Sequence, residues 1–244
     1  MEAKTQYLKV KIEFNHDIVD EIISNCIKQN GKGYICVVDL NSLAVAYSDD
    51  NHLKVLNNAL LNICDSSWLP VYINKKYHTK FTNYCGPDFF VKYLSEKKYK
   101  YFFLGSNKDT LETLKLNFVD RIVERNNFVY KDLPFCSVDD FDYDNIANEI
   151  NSVAPDIIWV SLGAPKQEQF MAKLLPHIHK GVLVGIGAAF DFYSGNKNTK
   201  RAPKWIQKMR LEWIYRLFLQ PKKQFRRLIL ISKFIVKVFK NSND

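Results

Sequence analysis

The sequence predicts an α/β protein in which a mostly parallel β-sheet is covered by helices on both faces and is followed by a helical C-terminal appendage. Two observations lead to this prediction. Short apolar runs, rich in β-branched and aromatic residues, alternate with segments whose apolar residues recur at helical spacing. The last fifth of the chain then differs in character, because most of the excess positive charge lies there.

Five apolar runs are predicted to form buried strands. Their residues are apolar in succession rather than in alternation, as expected for strands with both faces covered. Turn-forming or polar residues separate each run from the next segment. The predicted strands are residues 34–40, 68–73, 99–105, 156–163 and 181–187.

Helices are predicted between these strands. In the first of them, Leu53, Leu56 and Leu60 recur at spacings of three and four residues, which places them on one helix face. Strands that alternate with helices imply βαβ units, and βαβ units make parallel sheets. The predicted helical segments are residues 51–63, 87–97, 109–125, 142–153 and 165–178.

A polar stretch at residues 194–200 marks the predicted boundary between a core domain, 1–196, and an appendage, 197–244. The appendage holds 14 Lys and Arg against 2 Asp and Glu, whereas the core holds 21 basic and 24 acidic residues. Such one-sided charge indicates a polyanionic partner: phospholipid head groups, a diphosphate lipid or nucleic acid. The chain has no helix-turn-helix or aromatic RNA-binding pattern, so nucleic acid is the least favoured of the three.

The appendage is predicted to contain two helices, residues 203–219 and 221–240, each with a proline near its first turn. In the second helix, basic residues share one side and apolar residues spread over the other. This pattern is typical of a helix lying in a membrane interface, although an ordinary packed helix with a solvated basic face has it too. The basic residues expected at the membrane are Lys222, Arg226, Arg227, Lys233 and Lys237.

Several classes of protein are disfavoured by composition. The cysteine count is odd and no Cys-x-x-Cys pair occurs, so we expect reduced thiols rather than disulfides or a zinc site. The N-terminal residues contain no apolar run of signal-peptide length. Since no stretch of ~18 apolar residues occurs, we also expect no transmembrane helix. The expected location is cytoplasmic and peripheral to a membrane.

The turn after the fourth predicted strand is a candidate anion site. N–H groups at a helix N-terminus attract anions, and Gly163 and Ala164 allow a ligand to approach closely. Pro165 has no N–H, so its neighbours must supply donors, and Lys166 and Gln167 add side-chain donors. The same residues are also compatible with a routine strand-to-helix turn.

A second candidate turn follows the last predicted strand. Gly185 and Gly187 match the start of a dinucleotide fingerprint, but Phe190 stands where the third glycine belongs, which argues against NAD. Close backbone approach at Ala188, followed by the acidic Asp191, still fits nucleotide binding.

Carboxylates mark the same edge of the predicted sheet. Asp39 and Asn41 follow the first strand, and Asp65 lies between a predicted helix and the strand at 68–73. A carboxylate in a cleft is a candidate general base, although a lone Asp after a helix is also a common turn residue. No Asp-x-Asp cluster stands in a plausible metal loop, so helix dipoles and cationic side chains would have to neutralise a diphosphate.

The C-terminal half resembles the WecG/TagA/CpsF family of bacterial glycosyltransferases (glycosyltransferase family 26). Successive blocks carry this resemblance in the family's order, and VVDLN at 37–41 matches more loosely. The blocks are GAPKQE at 163–168, GIGAAFDF at 185–192, KRAPKW at 200–205, LEWIYRL at 211–217 and QPKKQFRR at 220–227.

The resemblance implies a Rossmann-like core and an appendage that meets the membrane. It also implies an inverting, metal-independent transfer of a sugar, of the N-acetylmannosamine type or another hexose, from a UDP-sugar. The implied acceptor is a glycan on undecaprenyl diphosphate at the inner face of the plasma membrane, in teichoic acid or other cell-surface polysaccharide synthesis. No cofactor is implied. A homo-oligomer is a further partner to be tested.

The resemblance also implies roles for particular residues. Asp65 matches the catalytic carboxylate, and Gln167 matches an active-site glutamine. Arg201, Arg210 and Arg216 of the appendage would neutralise the diphosphate of donor or lipid. The expected donor-binding residues are Asp39, Asn41, Gly163, Ala164, Pro165, Lys166, Gln167, Gly185, Gly187, Ala188 and Asp191.

The chain departs from the family pattern on the side facing the acceptor. Asp39 replaces a usual threonine, Ser66 stands in a Pro-Asp-Gly-like segment, and Asn83 replaces an expected arginine. An alternative function is therefore a catalytically inactive relative that binds a sugar nucleotide and acts as a scaffold in polysaccharide assembly.

Overall fold

The computed structural model describes residues 6–7, 9–122, 127–195, 201–209 and 211–240. Its centre is a six-stranded sheet in which every pair of neighbouring strands is parallel. The strands are β3 (Lys32–Val38), β4 (Leu61–Cys64), β5 (Tyr101–Gly105), β6 (Phe128–Lys131), β7 (Ile157–Ser161) and β8 (Gly181–Gly185), in the spatial order β4-β3-β8-β7-β5-β6. A separate antiparallel pair is formed by β1 (Gln6–Tyr7) and β2 (Val10–Lys11).

Helices α1 to α9 lie between and after these strands. Their bounds are α1 His16–Lys28, α2 Leu40–Ser48, α3 Asp50–Asn57, α4 Leu69–Tyr77, α5 Gly86–Ser95, α6 Lys108–Asn117, α7 Tyr143–Val153, α8 Lys166–Leu174 and α9 Ala189–Ser194. Short 3-10 turns occupy Val119–Arg121, Val138–Asp140 and Leu175–His177.

Both faces of the sheet are buried, as the sequence predicted. Successive residues of β3 point into different cores: Tyr34 and Cys36 join a cluster with α2, α3 and α8, whereas Ile35 joins one with α1, α5 and α6. Six aromatic rings of the second cluster, on β5, α5 and β7, are almost wholly buried. The predicted fold class, a parallel α/β sheet with helices on both faces and helices appended at the C-terminus, is confirmed.

One predicted strand is wrong. Residues 69–73 belong to helix α4 and Trp68 precedes it; Pro70 occupies the first turn, where a missing N–H breaks no helical bond. The strand of this region is the four-residue β4. Most of it fell within the predicted helix 51–63, because the apolar residues of β4 continue the helical spacing of those in α3. Helix α3 ends at Asn57 instead. Asp65 therefore follows a strand directly, rather than preceding one.

Other differences are smaller. The edge strand β6 was not predicted, since it is short and only partly buried. The predicted helix 109–125 ends at Asn117, and residues 123–126 lie outside the described residues. Helices α1 and α2 were not predicted, although Asn15 and Asp39 cap them with side chains that accept backbone N–H bonds.

The C-terminal residues form α10 (Lys204–Lys208), α11 (Glu212–Leu219) and α12 (Pro221–Lys240). Helix α12 packs on α2, where Phe234 is buried and its ring meets Tyr47 edge-on with centroids 5.5 Å apart. The predicted domain boundary after residue 196 falls within 196–200, outside the described residues.

No helix in the described part of the chain is both long enough and apolar enough to cross a bilayer.

Candidate active site

A cavity of about 490 Å³ opens at the carboxyl edge of the parallel sheet. Residues that follow all six strands line it, which is where ligands bind in open α/β sheets. Helices α11 and α12 close it from the C-terminal side. The lining residues discussed below are Asp39, Asp65, Gly86, Asn107, Phe135, Gly163, Ala164, Lys166, Gln167, Gly185, Gly187, Ala188, Asp191, Arg216, Gln220, Gln224 and Arg227.

Asp65 stands in this cavity immediately after β4. Its backbone N–H donates to the Val38 carbonyl at 2.9 Å, and its Oδ1 accepts the N–H of Gly86, at the start of α5, at 2.7 Å. Burial raises the pKa of the Asp65 carboxyl. The Gly86 bond and the nearby Arg216 oppose this rise without cancelling it. The carboxyl group is thus held in one place with a raised pKa, as a general base requires.

Asp39 and Asn41 lie near each other in sequence but differ in access to the cavity. Asp39 lines it and caps α2, since its carboxylate accepts the Ser42 N–H at 2.8 Å. Asn41 is buried in the first turn of α2 and is not among the lining residues. Asp39 also lies close enough to Asp65 for its negative charge to raise the pKa of that carboxyl.

The turn between β7 and α8 contains a cis peptide bond between Ala164 and Pro165. Gly163, Ala164 and Lys166 line the cavity, whereas Pro165 does not. The φ angle of Gly163 is +77°, a left-handed value that favours glycine. The Lys166 ammonium donates to the Cys136 carbonyl and lies 4.9 Å from the Phe141 ring centroid, so it is held by the protein.

Gln167 joins this turn to the one after β8. Its Oε1 accepts the N–H of Gly163 at 3.2 Å and the N–H of Gly187 at 3.0 Å. The N–H of Gly163, which belongs to the turn predicted to bind an anion, is therefore already bonded within the protein, as is the N–H of Gly187. Asp191 and Ala188 line the cavity beside Gly187.

Glu168 lies beneath the same turns and was not singled out from the sequence. It is 1% exposed, and its Oε1 accepts the Nε2 of Gln167 at 3.0 Å. Burial raises its pKa to about 7, and the Gln167 bond acts in the opposite direction. A buried carboxyl group that titrates near neutrality beside a candidate site is unusual for a purely structural residue.

The arginines of the appendage divide into three cases. Arg216 lines the cavity, pairs with Glu212 at 3.0 Å and lies 5.0 Å from the Phe192 ring centroid. Arg201 does not line the cavity, because both its terminal nitrogens bind Asp88, at 2.6 and 3.1 Å. Arg210 lies outside the described residues.

The basic residues predicted to lie at a membrane do not all have the same environment in the structure. Lys222, Arg226, Lys233 and Lys237 are exposed on α12. Arg227, which was grouped with them, is half-buried and lines the cavity. Its position on the helix differs from theirs by roughly a quarter turn or more, at ~100° per residue.

Sequence reasoning missed three contributions to the cavity. Asn107 follows β5 and caps α6, a strand-to-cap signal that the sequence did contain. Phe135 follows the unpredicted β6 and is fully exposed at the cavity rim. Gln220 and Gln224, at the junction of α11 and α12, belong to a block that carries the family resemblance, but they were given no role, because only the packing of α12 brings them to the cavity.

All five cysteines are free. No group of three or more His, Cys, Asp or Glu side chains in the described ranges is arranged to hold a metal ion.

Comparison with known proteins gives this arrangement a context. Over residues 6–244 the chain matches the model of the glycosyl transferase WecG/TagA/CpsF family. It is 27% identical over 232 residues to the N-acetylglucosaminyldiphosphoundecaprenol N-acetyl-beta-D-mannosaminyltransferase of Bacillus subtilis, covering 93% of this chain and 86% of that protein. It is 33% identical over 163 residues to the protein of the same name from Bacillus spizizenii, covering 64% of this chain and 59% of that one. The chain is a glycosyltransferase and belongs to the WecG/TagA/CpsF family.

Proposed function

We propose that this glycosyltransferase moves a sugar from a UDP-sugar to a glycan carried on undecaprenyl diphosphate, in teichoic acid or other cell-surface polysaccharide synthesis. The sugar is of the N-acetylmannosamine type or another hexose. One observation carries the proposal: the carboxyl group of Asp65, the two glycine turns and the cation of Arg216 all line one cavity. The names of the two relatives support the acceptor and the sugar.

The reaction we propose is a single in-line displacement. An acceptor hydroxyl oxygen attacks the anomeric carbon of the donor while Asp65 takes the hydroxyl proton. The bond from the anomeric carbon to the diphosphate oxygen breaks, and UDP leaves with both electrons. Attack from the face opposite the leaving group inverts the anomeric configuration. General-base assistance of this kind contributes about 10²–10⁴-fold to the rate.

The leaving diphosphate needs positive charge near it. In the proposed mechanism Arg216 and Arg227, which line the cavity from α11 and α12, neutralise this charge without a metal ion. Asp191 and the turn at Gly187 hold the nucleoside. This assignment leaves Arg201 outside the reaction, since Asp88 occupies both its terminal nitrogens.

A membrane surface is the proposed meeting place with the lipid-linked acceptor. The exposed basic residues of α12 are accompanied by exposed aromatic residues on α10, α11 and α12 itself. Trp205 is 62% exposed, Trp213 44%, Phe218 80% and Phe225 62%. Aromatic side chains and cations together favour the interface of anionic lipids. The proposed location is the inner face of the plasma membrane.

The decisive variant is Asp65→Asn, which removes the base and keeps the shape of the side chain. We expect transfer to fall about 10²–10⁴-fold while the dissociation constant for UDP changes little. Asp50→Asn, at an exposed position on α3, is the matched control and keeps full activity. An Asp65→Asn enzyme with normal turnover would exclude the general-base role.

A panel of UDP-sugars with a short-chain prenyl-diphosphate glycan tests the substrates, with UDP release as the readout. Transfer from at least one donor supports the proposal. UDP binding with no release from any donor or acceptor would favour the scaffold alternative, to which the departures at Asp39, Ser66 and Asn83 point. No binding of UDP would exclude both.

A further inference from the structure

The side-chain amide of Gln167 makes three hydrogen bonds to protein groups. Its oxygen faces two backbone donors, the N–H groups of Gly163 and Gly187, at 3.2 and 3.0 Å. Two donors require an acceptor between them, so the oxygen of the amide, and not its nitrogen, must stand there. The residue is 2% exposed, which leaves its amide little access to solvent.

Glu168 favours the same orientation of the amide through its contact with the amide nitrogen. Its Oε1 lies 3.0 Å from the Gln167 Nε2, and a carboxylate only accepts hydrogen bonds. A reversed amide would put its NH₂ group against two N–H donors and its oxygen against a carboxylate, three unfavourable contacts in a buried place. The other carboxyl oxygen of Glu168 is buried with no hydrogen-bond partner among the described residues.

Packing confines the pair further. A side-chain carbon at Gly185 would stand 3.1 Å from the Gln167 Nε2 and 2.8 Å from the terminal methyl of Met171. The glycine thus leaves room for the amide against strand β8. The charged groups nearest Glu168 on other elements are Asp39, which caps α2, and Arg227 of α12, and the buried thiol of Cys36 on β3 lies near it too.

We infer that Gln167 and Glu168 are a positioning pair: Glu168 orients the Gln167 amide, and the amide ties the two glycine turns of the cavity together. Gly163 and Gly187 line the same cavity and share the Gln167 oxygen as acceptor, so the pair sets the spacing between the two turns. Under this inference Gln167 acts on the ligand through the turns rather than by touching it. The consequence for donor binding rests on the proposed function, whereas the consequence for the turns does not.

An exchange of the two side chains tests this inference. Gln167→Glu keeps an oxygen for both glycine donors but places two carboxylates in contact. Adding Glu168→Gln to it restores every hydrogen bond with the partners reversed, since the new amide donates to the new carboxylate. Glu168→Gln alone keeps an acceptor for Gln167, and Glu168→Leu removes it at similar volume. None of these variants alters Asp39 or Arg227.

Amide hydrogen exchange at Gly163 and Gly187 is the first readout, and it needs no ligand. At pH 8 we expect exchange at both to quicken about tenfold or more in Gln167→Glu and in Glu168→Leu. In the double variant and in Glu168→Gln, the exchange rates of both amides should be close to those of the wild-type protein. The Gln167→Glu defect should shrink toward pH 6, where the two carboxyl groups share a proton.

Donor binding and kinetics are the second readout. The KM for the donor should rise in Gln167→Glu and in Glu168→Leu and stay near the wild-type value in Glu168→Gln and in the double variant. The kcat should change less, because the pair shapes the turns that bind the donor and does not act on Asp65. Normal exchange in Glu168→Leu, or a double variant no better than Gln167→Glu, would overturn the inference. If exchange follows the expected pattern but wild-type protein binds no UDP-sugar, the positioning pair stands and the proposed function fails.

Discussion

The carboxylate of Asp65 accepts the backbone N–H of Gly86 at 2.7 Å, which links the end of β4 to the first turn of α5. A helix N-terminus stabilises a negative charge, whereas the burial of Asp65 destabilises it. Burial is the larger effect, so the pKa of the carboxyl lies above its ordinary value. The two opposing influences leave a carboxyl group that is fixed in position and less acidic than that of an exposed aspartate.

The pH dependence of kcat/KM should reflect this raised pKa. A general base must be ionised, so activity falls as the pH drops through the pKa of Asp65, and that fall should occur above the value of about 3.9 typical of a free Asp. Glu168 titrates near pH 7, so the profile should be measured in Glu168→Gln as well. An acid limb at or below the ordinary Asp value in both proteins would contradict the assignment.

Loss of Arg216 should have two separable effects. Arg216→Met removes a cation from the cavity, so the affinity for UDP should weaken by about 1.5–3 kcal/mol, the worth of a hydrogen bond to a charged group. Arg216 also lowers the pKa of Asp65, so the acid limb should move to higher pH in the variant. Calorimetric titration with UDP and a pH–rate profile measure the two effects.

The control for Arg216 is Lys54→Met, an exposed cation on α3. It should change neither the UDP affinity nor the acid limb. If Arg216→Met behaved like this control, the diphosphate would have to be neutralised elsewhere, with Arg227 the next residue to test.

Phe234 should hold α12 against the core. It is 5% exposed and meets Tyr47, so Phe234→Ala leaves a cavity between α12 and α2, with a cost of up to about 3–5 kcal/mol. We expect faster proteolysis within α12 and loss of transfer, with the sheet intact by circular dichroism. Phe225→Ala, at a 62% exposed position of the same helix, should leave the proteolysis rate unchanged. Equal rates in both variants would show that Phe234 does not anchor the helix.

Binding to lipid vesicles should depend on the exposed basic residues of α12. Replacing four of them by Gln should weaken binding to vesicles containing phosphatidylglycerol by roughly 1 kcal/mol per residue, and less at high salt. The four positions are Lys222, Arg226, Lys233 and Lys237. A control with the same loss of charge on the core replaces Lys28, Lys54, Lys97 and Lys100. Equal loss of binding in both proteins would mean that net charge, and not α12, attracts the lipid.

The sequence predicted the sheet well where strands were long and wholly apolar. The runs at β3, β5, β7 and β8 were correctly predicted as buried strands from their continuous apolar character. The equally apolar run at 68–73 lies in the region of helix α4, since such a run does not by itself distinguish a strand from a buried helix. The sequence failed at β4, where four residues are too few to break the helical spacing that precedes them. It missed β6 for a related reason, since an edge strand is only partly buried.

The residues of the candidate site also differ in how well the sequence predicted them. Residues that follow a recognisable strand were predicted to lie together, and Asp39, Gly163 and Gly187 do line one cavity. Asp65 was placed at the correct edge although its neighbouring strand was misassigned. The family resemblance pointed to Arg216 of α11, which does line the cavity. The other contributions from α11 and α12 depend on how distant helices pack, which no local pattern encodes. The separate positions of Arg201 and Arg227 could therefore be found only in three dimensions.

Because α11 and α12 supply part of the cavity wall, the pocket cannot be assembled from the six strands of the sheet and the helices between them alone. A ribosome releases the strands of the sheet well before it releases Arg227. A nascent chain thus carries Asp65 and the glycine turns while the cavity still lacks one side. We therefore expect competence for transfer to arise only with the final helix, so that a stop codon after the last strand would yield an inactive protein.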